Sequence, residues 1–313
     1  MIFLITEIKT ENPEQWRELR SHYIGGSDSA AVVGLNPFKS AYALWAEKTK
    51  KTPEFEGNLA TAVGTFLEDF VAKLFETETG KKVRRNNRSM INDKYPFAIA
   101  NIDREVVGED AGLEIKTTSE MNLKRFKNGE YPENYYVQCV HYMAVTEKKK
   151  WYLAVLIGNR DFKVFEIERD DEEINALMDA ERRFWEYVTS DTAPAPDGSQ
   201  SSTEVLKILY PESNDYIVNI SAYDETLKQY VALGNQIKEL ENLQSELANG
   251  IKQFMGESGK GESNRFKVSY ISSARNTFDV KRFTEDYRNI DLSKYYKQSI
   301  SRTFRVSEIK IKE

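Results

Sequence analysis

The sequence predicts an α/β protein in which a mixed central sheet is flanked by helices and followed by a C-terminal helical and small β extension. Three observations support this prediction: the order of helical and strand-like patterns, a turn-rich segment, and a heptad-like stripe beyond it. The turn-rich segment lies at residues 191–203 and is typical of a linker. We therefore expect one domain over residues 1–190 and an extension over residues 204–313.

Helical patterns dominate the first part of the chain. Residues 13–48 predict short helices that are interrupted at Asn36 and Pro37. Residues 57–79 predict one long helix, which ends at Gly80 because glycine readily takes the left-handed conformation that closes a helix. Its apolar stripe contains Leu59, Val63, Phe66, Leu67, Phe70, Val71, Leu74 and Phe75.

Strand-like patterns follow the long helix. The predicted strands are KKVRRNNRSMI (81–91), FAIANID (97–103), GLEIKTT (112–118), WYLAVLIG (151–158) and KVFEIE (163–168). A helix is expected at 133–146, between the third and fourth strands, and another at 171–188, after the last. This order predicts a sheet with helices packed on its faces.

The extension carries apolar residues at spacings of three and four. The members of this stripe are Tyr230, Leu233, Ile237, Leu240, Leu243, Leu247, Ile251 and Phe254. Such a stripe predicts a coiled coil or a helical hairpin. The segments FKVSY (266–270) and TFRVSEIKI (303–311) predict strands of a small β region.

Composition excludes several kinds of site. The 313 residues include one cysteine, Cys139, and two histidines, His22 and His141. The chain therefore lacks the ligands for a disulfide framework, a cysteine zinc site, an iron–sulfur cluster or a multi-histidine metal site. Oxygen ligands favour a hard cation such as Mg²⁺ or Mn²⁺. The formal net charge is −6, so any binding of nucleic acid needs a local basic surface.

The expected compartment is the cytoplasm. The N-terminus shows no basic region followed by a cleavage-type sequence, and no run of about 18 apolar residues occurs in the chain. The single cysteine fits a reducing environment.

The segment GLEIKTT places two opposite charges on one face of a strand. Glu114 and Lys116 point one way and Ile115 the other, because side chains alternate between faces along a strand. Taken alone, the pattern fits a solvated surface ion pair. Asp103 precedes Glu114 by eleven residues, and a hairpin over VVGEDAGL would bring the two carboxylates together.

Paired carboxylates beside an ammonium suit phosphodiester hydrolysis. Two acids about 5 Å apart repel each other, and a bound divalent cation relieves that repulsion. Lys116 could orient the attacking water and neutralise charge on the phosphate. Glu68 lies close to the apolar stripe of the long helix, where it is either an exposed residue or a further acid of the site.

Several motifs follow one another in a set order along the chain. Their residues are Trp16, Arg20, Ile24, Gly25, Gly26 and Ser27, then Gly64 and Glu68, then Asp103 and GLEIK, then Gln138 and Tyr142. This ordered set resembles the PD-(D/E)xK nuclease superfamily, and in detail its YqaJ-like viral recombinase and lambda-exonuclease branch. The resemblance extends from about residue 14 to residue 188. Ile102 stands where the branch often has proline, and Arg104 where it often has glycine.

This resemblance implies a restriction-endonuclease-like core and a double-strand DNA exonuclease that degrades 5′ to 3′. The implied cofactor is Mg²⁺ (or Mn²⁺), bound as two ions. Lys116 would position the attacking water, and Gln138 would support Lys116 or the nucleophile. The implied metal ligands are Asp103, Glu114, the Ile115 carbonyl and Glu68.

The resemblance also implies a setting for the activity. The 3′ overhangs would serve phage-type recombination with a single-strand annealing protein. The enzyme would form a homo-oligomeric ring around DNA in the cytoplasm of a bacterial host, encoded by a phage or prophage.

Contacts to DNA are expected at several positions. Arg20 and Ser27 match residues that hold the terminal 5′-phosphate, and an arginine fork suits that anion. Their simpler roles are a surface charge and a helix N-cap. Further DNA-contacting residues are expected at Tyr142, Arg104, Arg84, Arg85, Lys124 and Arg125. For Arg84 and Arg85, and for Lys124 and Arg125, an ordinary solvated surface is the alternative.

Two other functions fit the same residues. A RecB-like or restriction-type endonuclease would cut closed circular DNA. A non-catalytic DNA-end-binding module would bind ends in EDTA and show no turnover with any metal.

Overall fold

The structure, a computed structural model, describes residues 4–53, 57–288, 290–297 and 301–307. The chain divides into two compact units, Met1–Tyr210 (unit 1) and Pro211–Glu313 (unit 2). The predicted site residues all fall in unit 1.

Unit 1 combines helices with strands, which confirms the predicted α/β class. Its helices are α1 (Pro13–Ser21), α2 (Gly26–Val32), α3 (Ala41–Lys48), α4 (Leu59–Thr79), α5 (Glu133–Thr146), α6 (Asp171–Thr189) and α7 (Gln200–Leu209), with a 3-10 helix at Glu120–Phe126. Its strands are β1 (Ile5–Lys9), β2 (Ile24–Gly25), β3 (Val83–Arg85), β4 (Arg88–Asn92), β5 (Ala98–Ile99), β6 (Arg104–Val106), β7 (Ala111–Thr118), β8 (Lys150–Ile157) and β9 (Asp161–Glu168). The predicted helices α4, α5 and α6 are confirmed.

The central sheet has five strands in the order β3-β6-β7-β8-β9. β7 and β8 are parallel, with α5 between them in the chain, and the other neighbouring pairs are antiparallel. β6 and β7 form a hairpin in which Arg104 pairs with Leu113. The expected hairpin over VVGEDAGL is therefore confirmed, and it brings Asp103 beside β7.

Helices cover both faces of this sheet. On one face, Tyr152 of β8 belongs to an apolar cluster with Val71 and Phe75 of α4. On the other face, Trp151 belongs to a larger cluster with Met143 of α5. Alternate residues of β8 thus enter different cores, as expected for a strand that is covered on both sides.

Only the C-terminal half of α4 is buried against the sheet. Val71 and Phe75 are buried, whereas Leu59 and Phe66 are 80% and 85% exposed. A Cβ on Gly64 would lie 3.4 Å from the Thr117 side chain near the end of β7, so the turns before Gly64 extend past the sheet. The predicted apolar stripe is present, but its first half lies on the surface.

Two short ladders lie outside the central sheet. β1 pairs antiparallel with β4, and β2 pairs parallel with β5. The single strand predicted at 81–91 is therefore wrong, since β3 and β4 join different sheets. Asn86 causes the interruption, because its side chain accepts a hydrogen bond from the Arg88 amide and turns the chain between the two strands.

The boundary between the units lies after Tyr210 rather than within the predicted linker. Residues 200–209 form α7, and Ser199 caps it by accepting a hydrogen bond from the Ser202 amide. The Ser202 hydroxyl also donates to the Ser40 hydroxyl at 2.9 Å, and both residues are buried. The serine-rich end of the segment thus starts a packed helix of unit 1, which composition alone does not distinguish from a linker.

Unit 2 contains one long helix and short elements. They are a 3-10 helix at Ser221–Tyr223, α8 (Asp224–Met255), the antiparallel strands β10 (Lys260–Glu262) and β11 (Lys267–Ser269), α9 (Val280–Asp286) and a 3-10 helix at Ser293–Tyr295. α8 is continuous, so the heptad-like stripe is not folded into a hairpin, and β11 confirms the strand in FKVSY. The strand predicted at 303–311 is absent from 303–307 and otherwise lies outside the described residues. Across the described ranges, no helix is long and apolar enough to cross a membrane.

Candidate active site

The candidate site begins at the hairpin of β6 and β7. Asp103 Oδ2 accepts a hydrogen bond from the Ile115 amide at 2.8 Å, which holds the carboxylate against the middle of β7. Glu114 is the adjacent residue on β7 and is only 2% exposed. A Cβ on Gly112 would lie 2.3 Å from the Trp151 ring, so close packing of that ring on β7 requires glycine. The GLEIK segment therefore encodes both the packing of the strand and the acid that it presents.

Lys116 and Gln138 complete a hydrogen-bonded group with Glu114. Lys116 Nζ lies 2.6 Å from Glu114 Oε1 and donates to Gln138 Oε1 at 2.8 Å. Gln138 Nε2 donates to Glu114 Oε1 at 2.8 Å. Lys116 Nζ also lies 5.5 Å from the centre of the Tyr135 ring, a cation–π contact. The solvated surface pair is therefore wrong as an interpretation, because α5 covers the charges of β7.

The two acids repel each other, and one oxygen of the pair has no hydrogen-bond partner among the described residues. Burial and the Glu114 carboxylate raise the pKa of Asp103 well above its ordinary value. Burial lowers the pKa of Lys116, but attraction to Glu114, the hydrogen bond to it and attraction to Asp103 together outweigh burial, and the net shift of that pKa is upward. Glu114 Oε2 is buried and, among the described residues, has no hydrogen-bond partner. A hard cation fits this donor set, since it satisfies a buried carboxylate oxygen and relieves the repulsion between two acids.

Tyr142 connects this group to the N-terminal motif. Gln138 Nε2 donates to the Tyr142 hydroxyl at 2.9 Å, and Tyr142 is 5% exposed. A Cβ on Gly26 would lie 2.5 Å from the Tyr142 ring, so α2 approaches α5 this closely only with glycine there. The expected DNA contact of Tyr142 is thereby corrected: the side chain is buried and positions Gln138.

Arg20 and Ser27 lie together at the start of α2. Arg20 Nη2 donates to Ser27 Oγ, and the guanidinium lies 5.1 Å from the centre of the Trp16 ring. The buried Asp28 carboxylate lies 2.9 Å from Lys48 Nζ and 3.9 Å from Arg20 Nη2. Burial raises the pKa of Asp28, but Lys48 and Arg20 lower it more, and the net pKa lies far below its ordinary value. Asp28 thus keeps a negative charge that holds two cations in place.

The sequence patterns do not single out Asp28 or Lys48. Asp28 has the position of an ordinary capping acid, and its carboxylate does accept a hydrogen bond from the Gly25 amide at 3.2 Å. Lys48 lies in the last turn of α3, where lysine is common in any helix. Only the packing of α2 and α3 brings the two charges together, so no local signal identifies them.

Glu68 forms ion pairs with arginines and does not join Asp103 and Glu114 as a third acid of the site. Glu68 Oε1 accepts hydrogen bonds from Arg104 Nη1 and, at 3.3 Å, from Arg85 Nη2. Asp69, which the sequence does not single out, accepts from the same arginines at 2.6 and 2.9 Å. Within the described part of the chain, no group of three or more acidic, histidine or cysteine side chains is placed to hold a metal. The expected third metal-binding acid is therefore not assembled, because Arg104 and Arg85 hold Glu68.

The basic residues fall into two groups. The expectation that Arg104 contacts the DNA backbone is wrong, because Arg104 is 3% exposed and both ends of its guanidinium bind acids of α4. Arg84 and Arg85 form ion pairs, but their side chains are 74% and 47% exposed. Lys124 and Arg125 are exposed on the 3-10 helix that follows β7. These four side chains are accessible to a phosphate backbone.

The fold and the site define a class: a mixed α/β protein in which a β-hairpin and the next helix assemble paired acids, a lysine and a glutamine. The chain belongs to the YqaJ-like viral recombinase family. The family model matches residues 15–149, which include every site residue described above. Over 97% of this chain and 98% of the relative, it is 39% identical to the uncharacterized protein YqaJ of Bacillus subtilis (strain 168). The resemblance to this branch is confirmed.

Other similarities are more partial. Protein D345L of African swine fever virus (strain Badajoz 1971 Vero-adapted) is 34% identical over 73 residues, which are 23% of this chain and 21% of that protein. The crystal structure of an alkaline exonuclease (LHK-Exo) from Laribacter hongkongensis matches with a TM-score of 0.49 and 21% identity, over 57% of this chain and 94% of that one. A phage related exonuclease from Haemophilus somnus 129PT matches with a TM-score of 0.42 and 17% identity, over 57% of this chain and 100% of that one.

Proposed function

We propose that this chain is a metal-dependent deoxyribonuclease that removes nucleotides from the ends of duplex DNA. The observation that carries the proposal is the partly buried group of Asp103, Glu114, Lys116 and Gln138, in which Glu114 Oε2 is buried and lacks a hydrogen-bond partner among the described residues. Paired acids beside an ammonium suit phosphodiester hydrolysis, which needs cation ligands and a positive group near the phosphate. Membership of a viral recombinase family supports DNA as the substrate.

Each residue of the group has a separate role in this proposal. Asp103, Glu114 and the Ile115 carbonyl would hold Mg²⁺ or Mn²⁺, which would supply positive charge and lower the pKa of water. Lys116 orients the attacking water and neutralises charge that develops on the phosphate oxygens. Gln138 fixes the positions of Lys116 and Glu114, because its Oε1 accepts a hydrogen bond from Lys116 and its Nε2 donates one to Glu114. Two ions is the number that the resemblance implies, and titration with Mn²⁺ counts them.

The end of the DNA is selected by Arg20 and Ser27 in this proposal. An arginine fork and a hydroxyl form a suitable site for a terminal 5′-phosphate. The negative charge of Asp28 attracts the Arg20 guanidinium and supports its position. Tyr142 packs on Gly26 and hydrogen-bonds Gln138, so the phosphate site and the acid pair share one structural support. Recognition of the 5′-phosphate supports degradation in the 5′ to 3′ direction.

The proposed setting is phage-type recombination in the cytoplasm of a bacterial host. Removal of one strand leaves a 3′ overhang, which a single-strand annealing protein would bind. We further infer a homo-oligomeric ring around DNA. A mass measurement in solution tests the ring, and a monomer at micromolar concentration contradicts it.

Digestion of end-labelled DNA tests the proposed activity. Linear duplex with a 5′ or a 3′ label is incubated with the full chain in Mg²⁺ or in EDTA, beside closed circular duplex. We expect release of the 5′ label in Mg²⁺, faster from 5′-phosphorylated ends, and intact circles. Cutting of the circles would favour an endonuclease. Tight binding of ends without turnover in Mg²⁺ or Mn²⁺ would favour the non-catalytic module.

A further inference from the structure

The apolar stripe of α8 lies on the surface of unit 2. Its eight members, Tyr230, Leu233, Ile237, Leu240, Leu243, Leu247, Ile251 and Phe254, are between 49% and 93% exposed. Tyr230 contacts the Phe304 ring edge to face at 5.4 Å between centroids, a contact at one end of the stripe. A row of large apolar side chains over most of a 32-residue helix is costly in water, which indicates a partner surface.

The stripe follows the heptad pattern of a two-stranded coiled coil. With Tyr230 at position a, the a positions are Tyr230, Ile237, Gln244 and Ile251, and the d positions are Leu233, Leu240, Leu247 and Phe254. Leucine at d with β-branched isoleucine at a favours two parallel helices. The helix covers more than four heptads, which is enough length for a stable pair.

Charged residues are placed away from this seam. Seven of the eight charged residues in α8 occupy the outer positions b, c and f: Asp224, Glu225, Lys228, Lys238, Glu239, Glu246 and Lys252. The flanking g positions are Gln229, Gln236, Leu243 and Gly250. Glu241 lies at e, where a parallel partner would present Gln236, an uncharged hydrogen-bonding side chain. Two identical helices can therefore meet along the seam without opposing like charges.

Gln244 fixes the alignment of such a pair. It is the only a or d residue of the four heptads with an amide side chain. A parallel pair in register places the two Gln244 amides opposite each other, where they can hydrogen-bond. A shifted or antiparallel pair would place each amide against leucine or isoleucine, leaving a buried polar group without a partner. The chain thus carries an alignment signal that is satisfied by its own copy.

We propose that α8 forms a parallel, in-register two-stranded coiled coil with α8 of a second copy of this chain. This pairing involves only residues of unit 2, so it does not depend on the proposed nuclease activity. Two other arrangements compete with this pairing: another segment of the same chain, or a different protein, could cover the stripe. The following tests separate them from the pairing of two copies.

Disulfide trapping tests the parallel alignment. Ile251→Cys places a thiol at an a position, and Asn249→Cys places one two residues earlier, at an outer f position. The native Cys139 is buried, so the parent chain is a suitable background. We expect oxidation of the full chain to give a covalent dimer for Ile251→Cys, and no dimer for Asn249→Cys or the parent. Absence of the Ile251→Cys dimer, or its formation only in a mixture with Leu233→Cys, the residue that an antiparallel pair would place opposite it, would overturn the proposal.

The mass of the full chain in solution provides a second test. Leu240→Lys buries a charge in the proposed seam, whereas Asn242→Lys adds the same charge at the outer f position. We expect the mass of the assembly to fall by half for Leu240→Lys and to be unchanged for Asn242→Lys. An unchanged mass for Leu240→Lys would refute the pairing. Label release from linear duplex, measured on the same samples, reports separately on the proposed nuclease.

Discussion

Glu114 and Lys116 belong to one hydrogen-bonded group, but the chemistry of their side chains suits them to different proposed roles. Glu114 offers a buried oxygen that has no protein donor among the described residues, which suits a cation ligand. Lys116 keeps its charge, because the net shift of its pKa is upward. An ammonium that stays protonated cannot act as a base, so its proposed role is to orient water and neutralise phosphate charge.

Lys116→Met separates catalysis from cation binding. We expect turnover on linear duplex to fall by about 10²-fold or more, since a charge that stabilises the transition state is lost. Mn²⁺ affinity should be equal or higher, because a neighbouring positive charge is removed. Calorimetry with Mn²⁺ and label release measure the two effects. Lys150→Met, at the start of β8, is the matched control, and equal loss of activity in both variants would contradict the role of Lys116.

Asp28→Asn tests the charge that supports Arg20 and Lys48. We expect a loss of about 3 kcal/mol in the free energy of unfolding at pH 7, because a buried ion pair is broken. The folded-state pKa of Asp28 is depressed, so its contribution is present above the unfolded pKa of about 3.9 and is lost as pH falls toward the folded value. Urea unfolding at pH 7 and pH 3 should show a smaller difference between variant and parent at pH 3. A difference that grows at pH 3 would contradict this assignment.

The close approach of α2 and α5 is the contact that aligns the two parts of the site. Gly26 on α2 allows the Tyr142 ring of α5 to lie against the helix backbone. The same ring carries the hydroxyl that accepts from Gln138. A pair of elements, rather than any single side chain, therefore couples the proposed phosphate site to the acid pair.

Gly26→Ala tests this coupling. The added Cβ would lie 2.5 Å from the Tyr142 ring, so one helix must shift. We expect a loss of about 1–3 kcal/mol in stability and a lower turnover. Gly198→Ala should be neutral, because none of the residues that the structure describes lies within 4 Å of the added Cβ. Combined with Tyr142→Leu, Gly26→Ala should cost less than it does alone, and simple additivity in thermal unfolding would show that Tyr142 is not the obstacle.

Elements with strong local signals are the ones that the sequence predicts correctly. α4, α5 and α6 have sustained helical spacing, and the β6–β7 hairpin has a turn-forming segment. The split of 81–91 into β3 and β4 depends on one turn at Asn86 and on which sheet each half joins. Pairing partners are set by tertiary packing, which the local pattern does not contain.

In the site, too, some features follow from the local sequence and others from tertiary packing. The acids, lysine and glutamine of the group are identified by their order in the chain and lie together as expected. The burial of Arg104 against Glu68 follows from how β6 faces α4, and strand spacing alone does not reveal it. Motif order predicts which residues belong to the site, while the structure decides which of them are already paired.

The whole chain is acidic, so the proposed binding of DNA must rely on local basic surfaces. The exposed Lys124 and Arg125 follow the strand that carries Glu114 and Lys116. Contacts from such residues go to phosphates and do not read base sequence. The proposed enzyme should therefore degrade duplexes of different sequence at similar rates.

Reversal of these charges measures their contribution. We expect Lys124→Glu with Arg125→Glu to raise KM on linear duplex, with kcat nearly unchanged, and to reduce the dependence of affinity on salt. Lys238→Glu with Lys252→Glu, on the outer positions of α8, is the control for net charge. An equal effect of the control pair would show that the 3-10 helix after β7 is not a DNA contact.

The most direct test of the proposed active site is the Mg²⁺-dependent release of nucleotides from linear duplex by Glu114→Gln. This substitution keeps the shape of the side chain and removes the charge of the buried acid whose Oε2 lacks a partner in the described structure. We expect release to fall by about 10²-fold or more, while Glu168→Gln at the end of β9 retains the parent rate. Full activity of Glu114→Gln, with folding verified by its thermal transition, would contradict the assignment of this site.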